Sequence, residues 1–201
     1  MRKLLLTTAA VAAAIAGAVA AEPSFGTFTD TRDGKTYKTV KIGGQTWMAK
    51  DMYYKTTNGS WCYNDSISDI QYCKEYGRLY TWNAAKKACP VGYHLPSRQD
   101  WTILVEYAGG WNAGRNLKAT IGWIGNTNGY DKYGFSAMPG GYRESNGSFY
   151  NAGNDGTWWT ATEEDGNTAY VLSMGYYYGN INVYVSNKST GYSVRCVADR
   201  P

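Results

Sequence analysis

The chain has a single histidine, His94, so Ser-His-Asp or Cys-His catalysis would have to run through it. His94 stands between Tyr93 and Leu95-Pro96 in a turn ahead of a helix, and is read as structural. A glycosidase would need two carboxylates facing each other across a cleft. Glu163, Glu164 and Asp165 are adjacent in sequence, and Asp131 and Glu144 are the acids that could oppose them. Acidic turn residues are more often simply solvated. A sharper use of the same loop is calcium: Glu163, Glu164, Asp165 and Asn167 could supply oxygen ligands and leave coordination sites for sugar hydroxyls. Ca²⁺ is therefore the one cofactor considered, and the Glu-Pro-Asn and Trp-Asn-Asp motifs of calcium-dependent lectins are both absent.

The aromatic residues offer chemistry that needs no metal. The chain carries 19 Tyr and 8 Trp against 4 Phe, with 24 Gly. Tyr and Trp combine apolar area with a polar tip, which suits half-exposed surfaces that stack on flat or amphipathic ligands. Trp111, Trp123, Tyr130, Tyr142, Trp159 and Tyr177 are the candidate ligand-binding rings, and all lie in or beside glycine-rich segments. Adjacent Trp158 and Trp159 point to opposite faces if they lie on a strand, so one is expected in the core and the other is open to ligand. The Tyr176-Tyr177-Tyr178 run exposes at least one ring by the same argument.

These groups need a frame. Arg2 and Lys3, an uncharged Ala-rich stretch from Leu4 to Val19 and the small-x-small triplet Ala18-Val19-Ala20 read as a signal peptide over residues 1–21. The remainder, residues 22–201, is the length of one domain. Without Arg2 and Lys3 the balance is 18 basic to 16 acidic residues. That balance gives no nucleic-acid stripe, and no later run is apolar enough to span a membrane. Cys62, Cys73, Cys89 and Cys196 are an even set in an exported chain, so two disulfides are expected. Of three connectivities, Cys62 with Cys73 and Cys89 with Cys196 is favoured.

Segment by segment, Asp33-Gly34 marks a turn, and Thr36 to Ile42 and Gln45 to Ala49 form a hairpin about Gly43-Gly44. Residues 55 to 77 read as loop. Thr81 caps a short helix through Ala88, stopped by Pro90. Ser97 and Asp100 form a capping box ahead of Trp101, Leu104, Val105 and Ala108, with Gly109-Gly110 as terminator. Beyond residue 111 short strands are expected at Phe135 to Met138, Gly141 to Glu144, Ser148 to Tyr150, Trp158 to Thr162, Thr168 to Gly175, Ile181 to Val185 and Tyr192 to Ala198, with Asn146-Gly147 a hairpin turn. The expected fold class is α+β, with two short helices, several short antiparallel strands, long loops and disulfide staples.

Four stretches carry a family resemblance: Asp30 to Asp51 (DTRDGKTYKTVKIGGQTWMAKD), Gly77 to Trp101 (GRLYTWNAAKKACPVGYHLPSRQDW), Trp158 to Thr162 (WWTAT) and Gly191 to Val197 (GYSVRCV). Together they resemble the Fibrobacter succinogenes major paralogous domain family over nearly the whole chain after residue 21. The resemblance implies a secreted or cell-surface protein of a fibre-degrading gut bacterium. The run through Cys89, His94 to Ser97 and Trp101 also looks like the helical half of C-type-lectin-like and formylglycine-generating-enzyme-like folds. That fold class links a first-helix cysteine to the last strand, which suits Cys89 with Cys196. The oxidase activity of the latter group needs a reactive cysteine pair, and here all four cysteines have structural assignments. The expectation is an extracytoplasmic, non-catalytic binding domain for plant cell-wall or bacterial polysaccharide. An adhesion component that contacts a surface protein is the alternative, and a glycan-acting enzyme comes third.

Overall fold

The computed structural model describes residues 22–64 and 70–200. The signal peptide expected over residues 1–21 lies outside the described residues.

The fold is α+β, organised around two five-stranded sheets. The first contains β1 (Ser24–Thr29), β2 (Thr36–Ile42), β3 (Gln45–Met48), β6 (Tyr93–His94) and β12 (Val197–Ala198), in the order β1-β2-β3-β12-β6. The second contains β7 (Gly140–Arg143), β8 (Phe149–Ala152), β9 (Asp155–Glu163), β10 (Thr168–Gly175) and β11 (Asn182–Asn187), in the order β11-β10-β9-β7-β8. A two-stranded ribbon joins β4 (Ser60–Trp61) to β5 (Leu79–Tyr80). The helices are short: α1 (Ile70–Tyr76), α2 (Trp82–Ala85), α3 (Arg98–Tyr107) and α4 (Ala113–Leu117).

Local chemistry explains most of the boundaries. Gly43 takes a positive φ of 59° between β2 and β3, whose register pairs Ile42 with Gln45. Thr81 caps α2 by accepting from the Ala84 amide. Both halves of the capping box at α3 are formed, with Ser97 Oγ accepting from the Asp100 amide and Asp100 Oδ2 from the Ser97 amide. Asn146 Oδ1 accepts from the Ser148 amide in the turn between β7 and β8.

Several expectations are corrected. Phe135 to Met138 makes only a single bridge, Ala137 with Lys118, because Ser136 sits at φ 53° with its amide and hydroxyl both donated to Asp131. Tyr192 to Ala198 is extended, but it changes partners along its length. Tyr192 bridges Tyr80, the Val194 and Cys196 carbonyls accept from the Met52 and Met48 amides, and only Val197–Ala198 joins a ladder. Both faces of this segment are buried from Tyr192 to Val197. Helix α1 occupies part of what reads as loop, and α4 is unanticipated.

Trp158 and Trp159 do point to opposite faces of β9, and both are buried. Trp158 joins Trp47, Trp101, Leu104 and Phe135 in one core cluster, whereas Trp159 joins Met48, Tyr80, Val171, Tyr192 and Cys196 in the other. A Trp brings roughly 150–250 Å² of surface into such a core, so two on one strand weld the second sheet to both clusters. At the centre, Arg195 Nε donates to Asp51 Oδ1 at 2.6 Å and Trp158 Nε1 donates to the same oxygen at 2.8 Å. The disulfides are Cys62–Cys73 and Cys89–Cys196, the second tying the segment after α2 to the last strand.

Candidate functional site

A polar recess lies where α4, the loop from Gly122 to Asp131 and the turn from Tyr176 to Asn180 meet. It encloses about 150 Å³ and is lined by Arg115, Lys118, Asn126, Asn128, Tyr177 and Tyr178, among others.

Backbone contacts hold the three segments together. Gly114 lets α4 approach the 176–180 turn closely: a Cβ there would stand 2.7 Å from the Gly179 carbonyl oxygen and 2.8 Å from that of Asn180. The Arg115 amide donates to the Gly179 carbonyl, and the Arg115 carbonyl accepts from the Tyr130 amide. Asn128 Oδ1 accepts from the Trp123 amide at 3.0 Å.

Lys118 is the brace beneath the recess. Its ammonium donates to the carbonyls of Gly175 and Tyr178 and stands 4.3 Å over the Trp123 ring. Burial, with repulsion from Arg115, brings its pKa down to about 8, against the partial help of Asp155. With Lys118 committed in this way, the turn presents its aromatic rings outward. Tyr177 is 73% exposed and Tyr178 61%, the Tyr176 and Tyr177 rings lie 3.9 Å apart, and Tyr130, 63% exposed, stands 5.6 Å from the Arg115 guanidinium.

Of the six rings expected to bind ligand, Tyr177 lines this recess and Tyr130 is bonded to its wall. Trp111 is widely exposed on the 3-10 turn immediately before α4 but does not line the recess. Tyr142 is half-buried against Tyr150 and Tyr192 on the second sheet. Trp123 and Trp159 are corrected. Trp123 is buried under Lys118 with Nε1 donated to the Ala137 carbonyl, and Trp159 is core with Nε1 donated to the Tyr80 carbonyl at 2.7 Å. Neither offers a face to a ligand. Arg115, Lys118, Asn126 and Asn128 escaped the sequence reading. The polar run Gly125 to Gly129 was the available signal, since Asn and Gly in alternation mark a chain that turns repeatedly.

The acidic loop is also corrected as a calcium site. Asp165 Oδ1 accepts from the amides of Asn167 and Thr168, both at 2.7 Å, which closes the turn between β9 and β10 and holds its carboxyl below the usual range. Glu163 is paired with Lys188, whose ammonium also donates to the Asp165 carbonyl. One Asp165 oxygen and the Glu163 carboxylate are thus engaged within the loop. Among the described residues no group of three or more His, Cys, Asp or Glu is arranged to hold a metal. Asp131, considered as an opposing acid, accepts from the Ser136 amide and hydroxyl through its two oxygens.

His94 Nδ1 lies 2.7 Å from Asp199 Oδ1, and Nε2 lies 3.5 Å from Asp100 Oδ2. The Ser97 hydroxyl donates to Asp100 at 2.6 Å, within the capping box at the start of α3.

Residues 40–198 match the model of the Fibrobacter succinogenes major domain. No curated protein and no solved structure matches the chain.

Proposed function

The chain belongs to the Fibrobacter succinogenes major domain family, and we propose that it is an extracytoplasmic, non-catalytic domain that binds polysaccharide at the recess beside α4. The observation that carries this reading is the set of outward Tyr177 and Tyr178 rings beside side-chain amides of Asn126 and Asn128, on a turn braced by buried Lys118. Flat rings cover the apolar faces of a pyranose while amides satisfy its hydroxyls, and a braced turn loses little entropy when it is occupied. The lining supplies cations, amides and hydroxyls and no carboxylate, which favours binding over hydrolysis.

Two disulfides support placement outside the cytoplasm, where such bonds persist. No helix among the described residues is long and apolar enough to cross a membrane. As part of the same proposal, the frame is assigned to the C-type-lectin-like class, on the Cys89–Cys196 tie from the segment after α2 to the last strand.

A second reading, adhesion to a surface protein, draws on β11. It is an outer strand of its sheet with Val183, Tyr184 and Val185 exposed, an edge open to pairing with another chain.

Retention of the purified protein on insoluble cellulose, xylan and peptidoglycan decides between them. The expected result is retention on at least one polysaccharide, unchanged by chelator and weakened at least tenfold, about 1.4 kcal/mol, by the double substitution Tyr177→Ala, Tyr178→Ala with the melting temperature unchanged. No retention on any polysaccharide would move the assignment to the protein-partner reading.

A further inference from the structure

The recess has a charge as well as a shape. Arg115 and Lys118 both line it, and no Asp or Glu does. The two cations differ in what they leave available. Lys118 spends its donors on the carbonyls of the 175–178 turn, so it contributes positive potential but no open hydrogen bond. Arg115 is exposed. Its backbone amide and carbonyl are used by Gly179 and Tyr130, whereas its guanidinium makes no ion pair among the described residues and stands free near the Tyr130 ring. Asp155, the acid that acts on Lys118, accepts from Asn151 Nδ2 at 2.6 Å and does not line the recess. A guanidinium with an open fork beside a buried second cation is suited to a planar carboxylate, which takes two parallel hydrogen bonds from it.

We infer that the ligand of this recess is an acidic polysaccharide, with a uronic-acid carboxylate held by Arg115 while the sugar ring lies against Tyr177 or Tyr178. This rests on the reading of the recess as a carbohydrate site. It narrows that reading to a pyranose that bears a carboxylate at the edge of the ring. Sulfate or phosphate esters would meet the same cations and can also take paired hydrogen bonds from a guanidinium, so a sulfated polymer is the comparison that separates them from a uronate.

The test is titration of the purified protein with an oligogalacturonate and with the same oligomer after reduction of its carboxyl groups to alcohols. Dextran sulfate serves as a general polyanion. Arg115→Gln, Arg115→Lys and the distant surface variant Lys41→Gln are compared with the wild type at low and at physiological salt. The expected result is at least tenfold tighter binding of the acidic oligomer than of the reduced one. Arg115→Gln should abolish that preference, Arg115→Lys should retain part of it, and Lys41→Gln should keep it whole. Equal binding of acidic and reduced oligomers by the wild type would overturn the uronate assignment and leave the carbohydrate reading standing. Binding of neither would count against both. Tight binding of dextran sulfate, with Arg115→Gln indifferent throughout, would reduce the site to general polyanion attraction and overturn the inference.

Discussion

Removing the carboxylate of Asp51 should cost more than any surface substitution in this protein, because two buried donors depend on one oxygen. Asp51 and Arg195 have side chains 1% and 0% exposed, and Asp51 Oδ1 accepts from both Arg195 Nε and Trp158 Nε1. In Asp51→Ala the guanidinium is left buried without a counter-charge, a loss of about 3–5 kcal/mol for a broken buried pair. The indole N–H is left without an acceptor, which adds on the order of 1–3 kcal/mol where the groups cannot relax. Asp51→Asn keeps an oxygen where both donors meet but loses the charge, and is expected to fall short of the alanine loss. Arg195 also donates to the carbonyls of Met48, Phe135 and Ser136. The double variant Asp51→Ala, Arg195→Met therefore removes the stranded charge but leaves those carbonyls short of donors, so it should be less destabilised than the sum of the single variants while remaining below the wild type. Equilibrium urea unfolding followed by tryptophan fluorescence measures the wild type, Asp51→Ala, Asp51→Asn, Arg195→Met and the double variant, and unchanged m-values are required for the comparison to hold. An Asp51→Ala loss below about 1 kcal/mol, or strict additivity in the cycle, would refute the claim that the pair is a coupled buried unit.

The two disulfides should differ in worth by their loop lengths. Cys89–Cys196 spans 107 residues and Cys62–Cys73 spans 11. The chain-entropy relation gives about 4.7 kcal/mol for the first and a little under 3 for the second. Paired Cys→Ala variants compared by urea unfolding should show the larger loss at Cys89 and Cys196, and the reverse order would sink the loop-length account. Stability should also fall above pH 10. Burial raises the hydroxyl pKa of Tyr37, Tyr80 and Tyr192 above the ordinary 10.0, so between those values the unfolded chain releases protons that the native protein keeps. Lys118 has the opposite sign. Its pKa is about 8 in the fold against an ordinary 10.5, so the unfolded state binds more protons in that window and stability rises through it. Urea unfolding of the wild type and Lys118→Met from pH 7 to 11 should show the rise only in the wild type and the alkaline fall in both. A wild-type curve flat to pH 11 would contradict both assignments.

What was legible in the sequence was mostly local. The hairpin at Gly43-Gly44, the caps at Thr81 and Ser97, β10 and the turn at Asn146-Gly147 all depend on residues within a few positions of one another, and the structure bears them out. Both disulfides were also legible, from an even cysteine count and spacing. The errors share a different cause. Alternation shows that Trp158 and Trp159 face opposite ways, but it cannot show that a second core lies on the far side, so Trp159 was taken for a ligand ring. A strand covered on both faces defeats the one-face-in rule. The acidic loop failed for a complementary reason. Its residue types fit calcium, but Asp165 closes its own turn and Glu163 is answered by Lys188 from beyond β11. The recess itself was half seen, through Tyr130 and Tyr177. Arg115 and Lys118 were not, because cations on a short helix read as solvated charge until the 176–180 turn closes over them.

The segments that carry the family resemblance are also the ones that make the frame. Asp30 to Asp51 supplies Tyr37, Val40, Trp47 and Asp51, Gly77 to Trp101 supplies Tyr80, Trp82, Cys89 and the α3 cap, Trp158 to Thr162 supplies the buried indoles of Trp158 and Trp159, and Gly191 to Val197 supplies Arg195 and Cys196. The ion pair, the long disulfide and both core clusters join these four stretches to one another. The recess is assembled wholly outside them, from residues 115–128 and 176–179. A chain built this way can change its lining residues without disturbing Asp51, Arg195 or Trp158, since none of the lining atoms takes part in that network. The family match runs through frame and recess alike, and a ligand of the recess has to be read from the side chains it would meet, Arg115, Asn126, Asn128, Tyr177 and Tyr178.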